Sequence, residues 1–170
     1  MNVARETREF EVGVGMMMIV TQPSILAISG IGSCIGLVMR DGDTMASGLA
    51  HIALPNSWKM DDADKTPGKY SDTAVRALVK GLLSTGASLR PIKAKMVGGA
   101  RVLQNGCFDG SKNIESTRSE LQQCGIPIVA EDVGQTCGRS MKFDTATGEV
   151  VVRRFQRCSG IAELKDIVVI

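Results

Sequence analysis

The sequence predicts an α/β fold, a layered sandwich with a mixed β-sheet and two main helices. Short apolar segments separated by glycines and turn residues fill the first third of the chain, and this pattern is typical of strands. Two helical patterns then alternate with further strands before a hairpin pattern. A series of strands followed by helices that alternate with strands indicates a sheet with mixed strand directions. With 44% hydrophobic residues, residues 1–170 are predicted to form a single domain.

The N-terminal part is predicted as a series of strands. Residues 1–10 are polar and expected to be frayed. Residues 11–21 form one or two short strands broken at glycines, with Met16-Met17-Met18 as core side chains. Strands follow at 24–29, 35–39 and 45–54, the last two joined by a tight hairpin at Asp41-Gly42. Positions 34 and 51 are at similar distances from that turn, so the hairpin is expected to bring them together.

Two helices and further strands are predicted after position 54. Residues 58–69 are polar and indicate a surface loop. The first helix has Ser71 or Asp72 as its N-cap, an apolar residue every three or four positions, and a stop at Gly86. Ser111 is predicted to cap the second helix, which ends at about Cys124. Strands are expected at 92–97 and 126–130, a hairpin at 141–143 and 150–154, and an edge strand at 161–170.

The composition argues against several classes of protein. A net charge of +2 without a basic run gives no basis for nucleic-acid binding. The N-terminus has no apolar signal-peptide core, and the apolar run 14–20 is too short to span a bilayer. The odd number of cysteines and the lack of CxxC spacing disfavour a disulfide framework or a zinc site; they are Cys34, Cys107, Cys124, Cys137 and Cys158. We predict a reduced, cytoplasmic protein without metal, cofactor or membrane insertion.

The segment Gly30-Ile31-Gly32-Ser33-Cys34-Ile35-Gly36 places a cysteine in a glycine-rich turn between two apolar runs. A dinucleotide-binding loop is disfavoured, because the last glycine comes one position late and strand-like residues follow where a helix is needed. A structural interpretation treats the cysteine as a small buried side chain and the histidine at position 51 as a core residue. The glycines favour a third interpretation, since they let a substrate carbonyl approach backbone N–H groups.

That third interpretation is nucleophilic catalysis by Cys34, with His51, the only histidine of the chain, as its base. A thiol with an ordinary pKa of ~8.5 is mostly protonated at neutral pH, so it needs a group that takes its proton. An imidazole can take this proton and later deliver it to a leaving amine. Backbone N–H groups of the turn would stabilise an oxyanion by about 3 kcal/mol per donor. These residues predict acyl transfer from an amide or an ester.

Two motifs are decisive for a more specific assignment: Gly30-Ile31-Gly32-Ser33-Cys34, and then Gly48-Leu49-Ala50-His51-Ile52-Ala53-Leu54-Pro55. With them, the sequence resembles the CheD family of chemoreceptor glutamine deamidases. Further segments that look like the family's pattern follow in the same order: Gly68-Lys69-Tyr70-Ser71-Asp72-Thr73-Ala74, Lys95-Met96-Val97-Gly98-Gly99-Ala100, Gly110-Ser111-Lys112-Asn113, Glu131-Asp132-Val133-Gly134 and Gly138-Arg139. Lys112 stands where the family usually has an arginine.

The resemblance implies a fold, a function and partners. Proteins of this family are α/β sandwiches that hydrolyse selected glutamine side-chain amides of methyl-accepting chemotaxis receptors to glutamate. Cys34 matches the nucleophile and His51 the base, so loss of ammonia would leave a thioester that water hydrolyses. The family also implies a second partner besides the receptors, a CheC-type phosphatase of the response regulator CheY, which can occupy the deamidase site.

One position departs from the family's pattern. Six residues before the cysteine, the family usually has a threonine that helps to orient the histidine, and Ile28 stands there in this chain. The isoleucine side chain cannot form a hydrogen bond, and Ser29 would face the other side of a strand. A bulge before Gly30, or a backbone carbonyl, could orient the ring instead. The alternative function is therefore a binding protein that regulates a CheC-type phosphatase with weak or no deamidase activity.

Overall fold

The computed structural model describes residues 7–58, 60–63, 65–101, 110–158 and 161–170. Within these ranges the chain forms ten strands and two helices. In chain order they are β1 (Arg8–Glu11), β2 (Met17–Val20), β3 (Ser24–Ile31), β4 (Ile35–Asp41), β5 (Ser47–Ile52), α1 (Ser71–Ser84), β6 (Ile92–Gly98), α2 (Ser111–Gln123), β7 (Ile128–Val133), β8 (Gly138–Asp144), β9 (Val150–Cys158) and β10 (Ile161–Val169). The predicted α/β class with two main helices is confirmed.

The strands form two five-stranded sheets. Sheet A has the order β1-β3-β8-β9-β10, and sheet B has the order β2-β5-β4-β6-β7. Each sheet contains one parallel pair, β1 with β3 and β6 with β7, while the other pairs are antiparallel. The predicted mixture of strand directions is confirmed, as are the β8–β9 hairpin and the position of β10 at a sheet edge.

Sheet B is the middle layer of the fold, between the helices and sheet A. Along β4, Leu37 and Met39 contribute to the helix-facing core, whereas the alternate residue Val38 contributes to the core between the sheets. Helix α1 covers sheet B with apolar residues spaced three or four apart, namely Ala74, Val75, Leu78 and Leu82. Strands β4 and β5 are therefore buried on both faces, and the segments that carry positions 34 and 51 lie on this rigid central pair.

The β4–β5 connection is wider than the tight hairpin predicted at Asp41-Gly42. Strand β4 ends at Asp41 and β5 begins only at Ser47. The buried Asp41 carboxylate accepts hydrogen bonds from the N–H groups of Asp43 (2.8 Å) and Ser88 (3.1 Å). This side chain organises a longer turn around itself, which outweighs the local preference of Asp-Gly for a two-residue loop.

The predicted helix caps are wrong, although the helices themselves are confirmed. Helix α1 follows Tyr70 and α2 follows Gly110, and neither N-terminus has a side-chain cap hydrogen bond. Ser71 lies inside α1, where its hydroxyl is 2.9 Å from the hydroxyl of Thr117 on α2. The Ser71 hydroxyl, predicted to cap α1, therefore makes a contact between the two helices instead. Gly86, with φ of 95°, follows the end of α1 as predicted.

Several strand boundaries also differ from the predicted ones. The stretch predicted as frayed includes β1, which begins at Arg8 and pairs with β3, while residues 1–6 are outside the described ranges. Strand β5 ends at Ile52, and β7 begins at Ile128 and continues to Val133. Of the three consecutive methionines, two pack against the cores, but Met16 is 62% exposed. Neither helix in the described ranges has the length and apolar character needed to cross a membrane.

Candidate active site

Cys34 and His51 lie at the same end of the β4–β5 pair. His51 is directly opposite Gly36, and Cys34 lies two residues before Gly36. Residues two apart share a face of a strand, and diagonal positions across an antiparallel pair are close enough for side-chain contact. His51 shares its face with Leu49, which belongs to the core between the sheets, and Cys34 packs against that same core. Cys34 comes one residue before β4 begins, so the contact between the two side chains stays a prediction that this register supports.

The imidazole of His51 is only 1% exposed and is held through Nδ1. Nδ1 lies 3.3 Å from the carbonyl oxygen of Val12, in the segment between β1 and β2. A carbonyl only accepts hydrogen bonds, so Nδ1 carries the proton of the neutral ring and Nε2 is left as the acceptor. Nε2 is buried and has no hydrogen-bond partner among the described residues. The ring thus has a fixed tautomer and an unused basic nitrogen.

The backbone around His51 is also fixed. Its N–H donates to the carbonyl of Met16 (3.0 Å), and its carbonyl accepts from the N–H of Gly15 (2.8 Å). These two bonds continue the β2–β5 ladder into the segment that contains Val12. The position of the Val12 carbonyl relative to the ring is therefore set by main-chain hydrogen bonds on both sides.

The loop that carries Cys34 is held by three consecutive carbonyl groups. The carbonyls of residues 32, 33 and 34 accept hydrogen bonds, in that order, from Ala100 N–H (2.9 Å), the Asn113 side-chain amide (2.8 Å) and Gly99 N–H (2.7 Å). No peptide bond among the described residues is cis, so each N–H points away from the carbonyl of its own peptide unit. The N–H groups of Ser33 and Cys34 therefore point away from the donors that hold the loop.

Gly98 allows this close approach of β6 to the Cys34 loop. Its φ is +117°, and a Cβ placed on it would collide with the carbonyl oxygen of Cys34 and lie 2.5 Å from Cγ2 of Ile31. Only glycine combines this backbone conformation with the lack of a side chain. The glycine-rich end of β6 thus forms part of the site, because it lets the main chain of residues 99 and 100 contact the loop.

Burial favours the uncharged forms of both candidate catalytic groups. It raises the pKa of the Cys34 thiol, an effect only partly offset by the hydrogen bond from the N–H of Cys34 itself. It also lowers the pKa of His51, although the Val12 carbonyl and the Glu11 carboxylate act in the opposite direction. At neutral pH the site therefore contains a neutral thiol and a neutral imidazole.

Ile28 is a core residue of the same cluster as Val12, whose carbonyl contacts the histidine. It is 1% exposed and belongs to the core between the sheets, close to the position that a Cβ on Gly36 would occupy (3.2 Å). The register of β3 against β8 shifts between Ile28 and Ile31, at the position where a bulge before Gly30 was predicted as one possibility. Ser29 is nevertheless exposed, with its N–H bonded to Glu11 (2.6 Å). Of the two possible substitutes for the family's threonine, the backbone carbonyl is the one found beside the ring.

Two groups of the site were not identified from the sequence. The carbonyl of Val12 has no sequence signal, because any residue supplies a carbonyl. Asn113 lies within one of the segments that resemble the family's pattern, but its spacing gives no indication of a contact with residues 33 and 53. Its side-chain Nδ2 donates to the carbonyls of both, at 2.8 Å and 3.1 Å.

The remaining described cysteines are not part of the site. Cys124 is half-buried against the helix-facing core, Cys137 is buried in the segment before β8, and both are free thiols. The predictions for Cys107 and for the Cys158 side chain fall outside the described residues. In the described part of the chain, no group of three or more His, Cys, Asp or Glu side chains could hold a metal ion.

The structure defines an α/β protein with a half-buried thiol just before β4 and a buried imidazole on β5. Residues 53–154 match the family described as CheD chemotactic sensory transduction. The chain is 38% identical over 154 residues to the chemoreceptor glutamine deamidase CheD of Bacillus licheniformis, covering 88% of this chain and 92% of that protein. It is 35% identical over 144 residues to the protein of the same name from Thermotoga maritima, covering 84% and 90%. This chain belongs to the CheD family.

The family match over residues 53–154 begins after Cys34 and His51, whereas the match to the relatives reaches them. A continuous stretch covering 84% of 170 residues spans positions 34 and 51 wherever it begins. Among solved structures, the C-terminal domain of CNFy from Yersinia pseudotuberculosis overlaps 95% of this chain and 60% of its own, with a TM-score of 0.44 and 8% identity. A likeness of that size supports no conclusion about function.

Proposed function

We propose that this chain is a protein-glutamine deamidase acting on chemoreceptors, with Cys34 as nucleophile and His51 as general base. The observation that carries the proposal is the state of His51. Its Nδ1 is engaged by the Val12 carbonyl, while its Nε2 is unpartnered among the described residues on the face shared with Cys34. The names of the relatives give the substrate class, a glutamine side chain of a chemoreceptor.

The first half-reaction forms a thioester. The Cys34 Sγ attacks the carboxamide carbon of the glutamine while His51 Nε2 takes the thiol proton. The carbon becomes tetrahedral and its oxygen becomes an oxyanion. The C–N bond then breaks as the imidazolium returns the proton to nitrogen, and ammonia leaves. Because both groups are neutral at rest, proton transfer accompanies attack and does not precede it.

The oxyanion needs donors that are already aimed at it. The carbonyls of residues 32–34 are bound by β6 and α2, so the N–H groups of Ser33 and Cys34 point away from those anchors. We assign these two N–H groups to the oxyanion. The anchored carbonyls fix both peptide planes in advance. The Cys34 N–H, which bonds its own thiol at rest, turns to the oxyanion during reaction, and each donor contributes about 3 kcal/mol to transition-state stabilisation.

Hydrolysis of the thioester completes the reaction. His51 Nε2 takes a proton from water as the water oxygen attacks the acyl carbon, and the C–S bond breaks with return of that proton to sulfur. The glutamine side chain is released as glutamate, and the free thiol is restored. The Val12 carbonyl stabilises the imidazolium that forms transiently in each half-reaction, since it accepts the Nδ1 proton.

Incubation with a folded cognate receptor tests the proposal, with the small mass gain from glutamine to glutamate followed by mass spectrometry. We expect conversion by the native chain and a loss of roughly 10³-fold or more in Cys34→Ala and His51→Ala. Cys124→Ala is the matched control, because it removes a half-buried free thiol that packs on the other core. Conversion by Cys34→Ala at the native rate would overturn the proposal.

A second candidate is favoured by Ile28 and by the burial of the thiol. If the Val12 carbonyl does not replace the usual threonine hydroxyl, the apolar residue at position 28 and the raised Cys34 pKa would both slow deamidation. In this case the chain would act as a binding protein that regulates a CheC-type phosphatase, with weak or no deamidation. Phosphatase stimulation by Cys34→Ala equal to that by the native chain, together with an inactive native chain on receptors, would favour it.

A further inference from the structure

The side chain of Asn113 connects the two segments that carry the candidate catalytic residues. Its Nδ2 donates to the carbonyl of Ser33, the residue before the nucleophile, and to the carbonyl of Ala53, two residues after His51. The distances are 2.8 Å and 3.1 Å, and Asn113 is 5% exposed. One amide thus uses both of its N–H bonds to hold two carbonyls at a fixed separation.

The orientation of this amide follows from its partners. Two carbonyl oxygens face it, so only the NH₂ end can lie between them, and the reversed amide would place three oxygens together. The Oδ1 atom is buried and has no partner among the described residues. A buried acceptor without a partner is costly, so the stability of the fold alone does not explain an asparagine here.

Asn113 is well placed to transmit the rigidity of α2 to the site. It is the third residue of that helix, and Gly110 before the helix packs so closely on Gly99 that a Cβ would collide with it. Gly99 in turn donates to the carbonyl of Cys34. Of the three donors to the carbonyls of residues 32–34, Asn113 alone uses a side chain, and it alone also binds the segment after His51.

We propose that Asn113 is a positioning residue that fixes the Cys34 loop relative to the His51 strand, and thereby sets the approach of the thiol to Nε2. This inference rests on the proposed function, because it assigns Cys34 and His51 as the reacting pair. Without the Asn113 amide, both reacting groups remain in the chain, but the distance between them is no longer fixed. A displacement of about 1 Å in such a pair costs roughly 100-fold in rate, so the expected loss is 10- to 100-fold.

Thr117→Val provides a matched control on the same helix. Thr117 is buried one turn after Asn113 and bonds the Asn113 carbonyl (2.7 Å) and the Ser71 hydroxyl (2.9 Å). It has no bond to the loop of Cys34 or to the segment after His51 among its described contacts. The valine therefore removes a buried polar contact of α2 without releasing either catalytic segment.

The experiment compares the native chain with Asn113→Ala, Asn113→Asp and Thr117→Val. Two assays are used. Receptor deamidation gives kcat and KM, and alkylation by iodoacetamide gives the reaction rate of Cys34, with and without His51→Gln. We expect both asparagine variants to lower kcat with KM unchanged within about twofold, and to remove the part of the alkylation rate that depends on His51. Asn113→Asp should be the more severe, because its carboxylate faces two carbonyl oxygens. Thr117→Val should keep the native kcat and alkylation rate.

The outcomes separate this inference from the proposed function. If the native chain fails to deamidate receptors but His51-dependent alkylation is present and lost on substitution of Asn113, the positioning role stands and the substrate assignment fails. If alkylation keeps its dependence on His51 in both asparagine variants, the positioning role is wrong. Equal losses in Thr117→Val would also overturn it, since they would reflect general loosening of α2. If Asn113→Asp does not fold, Asn113→Ala, which places no charge against the two carbonyl oxygens, provides the comparison.

Discussion

The carbonyl oxygen of Val12 lies 3.3 Å from Nδ1 of His51, and this contact joins the segment after β1 to the central strand β5. A main-chain carbonyl fixes the tautomer and the plane of the imidazole in the way that a side-chain acceptor would. The ring therefore does not depend on a hydroxyl at position 28. This contact bears directly on the Ile28 position, where the chain departs from the family's pattern.

Substitution of Ile28 tests whether the carbonyl is sufficient. We compare Ile28→Val with Ile28→Thr, because valine and threonine have nearly the same shape and differ by the hydroxyl. Ile28 is buried, so valine should lower the free energy of unfolding by about 1 kcal/mol and threonine by about 2 to 3 kcal/mol. Deamidation should be equal in the two variants. A higher kcat in the threonine variant alone would show that the native ring lacks an orienting group.

The pH dependence follows from the direction of the two pKa shifts. Burial places the pKa of His51 below 6.5 and that of the Cys34 thiol above its ordinary value. We expect kcat/KM to be constant from about pH 6.5 to 8 and to fall only at lower pH, as the imidazole becomes protonated and stops acting as a base. Because His51 is the only histidine, its titration gives a single imidazole signal by NMR. An acid limb centred above pH 7 would contradict the burial argument.

The same shift has a consequence for stability. The unfolded chain binds a proton at the ordinary histidine pKa, and the folded chain binds it only at lower pH. The contribution of His51 to the free energy of unfolding is therefore complete above pH 6.5 and decreases as the pH falls through the folded pKa. Urea denaturation of the native chain and of His51→Gln at pH 7 and pH 5 measures this term. An equal change in unfolding free energy in both proteins would show that the pH effect comes from groups other than His51.

Gly98→Ala should disrupt the loop of the nucleophile. Its Cβ would collide with the Cys34 carbonyl, so we expect a loss of about 3 kcal/mol or more in unfolding free energy and no measurable deamidation. Gly86→Ala is the matched control, since Gly86 also has a positive φ but faces open space. It should cost about 1 kcal/mol and leave kcat unchanged. Thermal unfolding and the receptor assay distinguish the clash from backbone strain, and equal effects of the two variants would rule out the clash.

The adjacent acids Glu131 and Asp132 offer a comparison between an exposed and a buried ion pair. Asp132 and Arg139 have side chains that are 2% and 0% exposed, and Asp132 also binds Arg154 (2.8 Å). Burial opposes charge on Asp132, but the hydrogen bonds from Arg154 and Arg139 outweigh it and lower the pKa. Asp132→Asn should therefore cost about 3 to 5 kcal/mol by leaving a buried guanidinium without its counter-charge.

Glu131→Gln is the control for that substitution. Glu131 pairs with Arg118 at 2.8 Å on the surface, so its removal should cost less than about 1 kcal/mol. The stabilisation from Asp132 is present above its ordinary pKa and lost as the pH falls through its lower folded value. Denaturation at pH 7 and pH 3 should consequently show a smaller acid loss in Asp132→Asn than in the native chain. Similar costs for the two variants would contradict the role of burial.

The sequence was sufficient for the fold class and for the antiparallel pairing of β4 with β5. Both depend on local patterns, since strand alternation and distance to a turn are encoded in nearby residues. The predicted cap of α1 was wrong because Ser71 is used by a partner 46 residues away. The tight turn at Asp41-Gly42 was wrong because Ser88 bonds the Asp41 carboxylate. The orienting carbonyl of Val12 could not be predicted, because main-chain acceptors have no residue type.

The bond between Asn113 and Ser33 connects residues 80 positions apart. During synthesis the chain emerges from its N-terminus, so the nucleophile and the base are both made long before the amide that we infer joins them. A nascent chain that ends before α2 would contain a cysteine and a histidine but no fixed pair, and its thiol would react like that of any small peptide. Appearance of His51-dependent alkylation of Cys34 would then report the docking of α2, and its time course would measure one long-range step of folding.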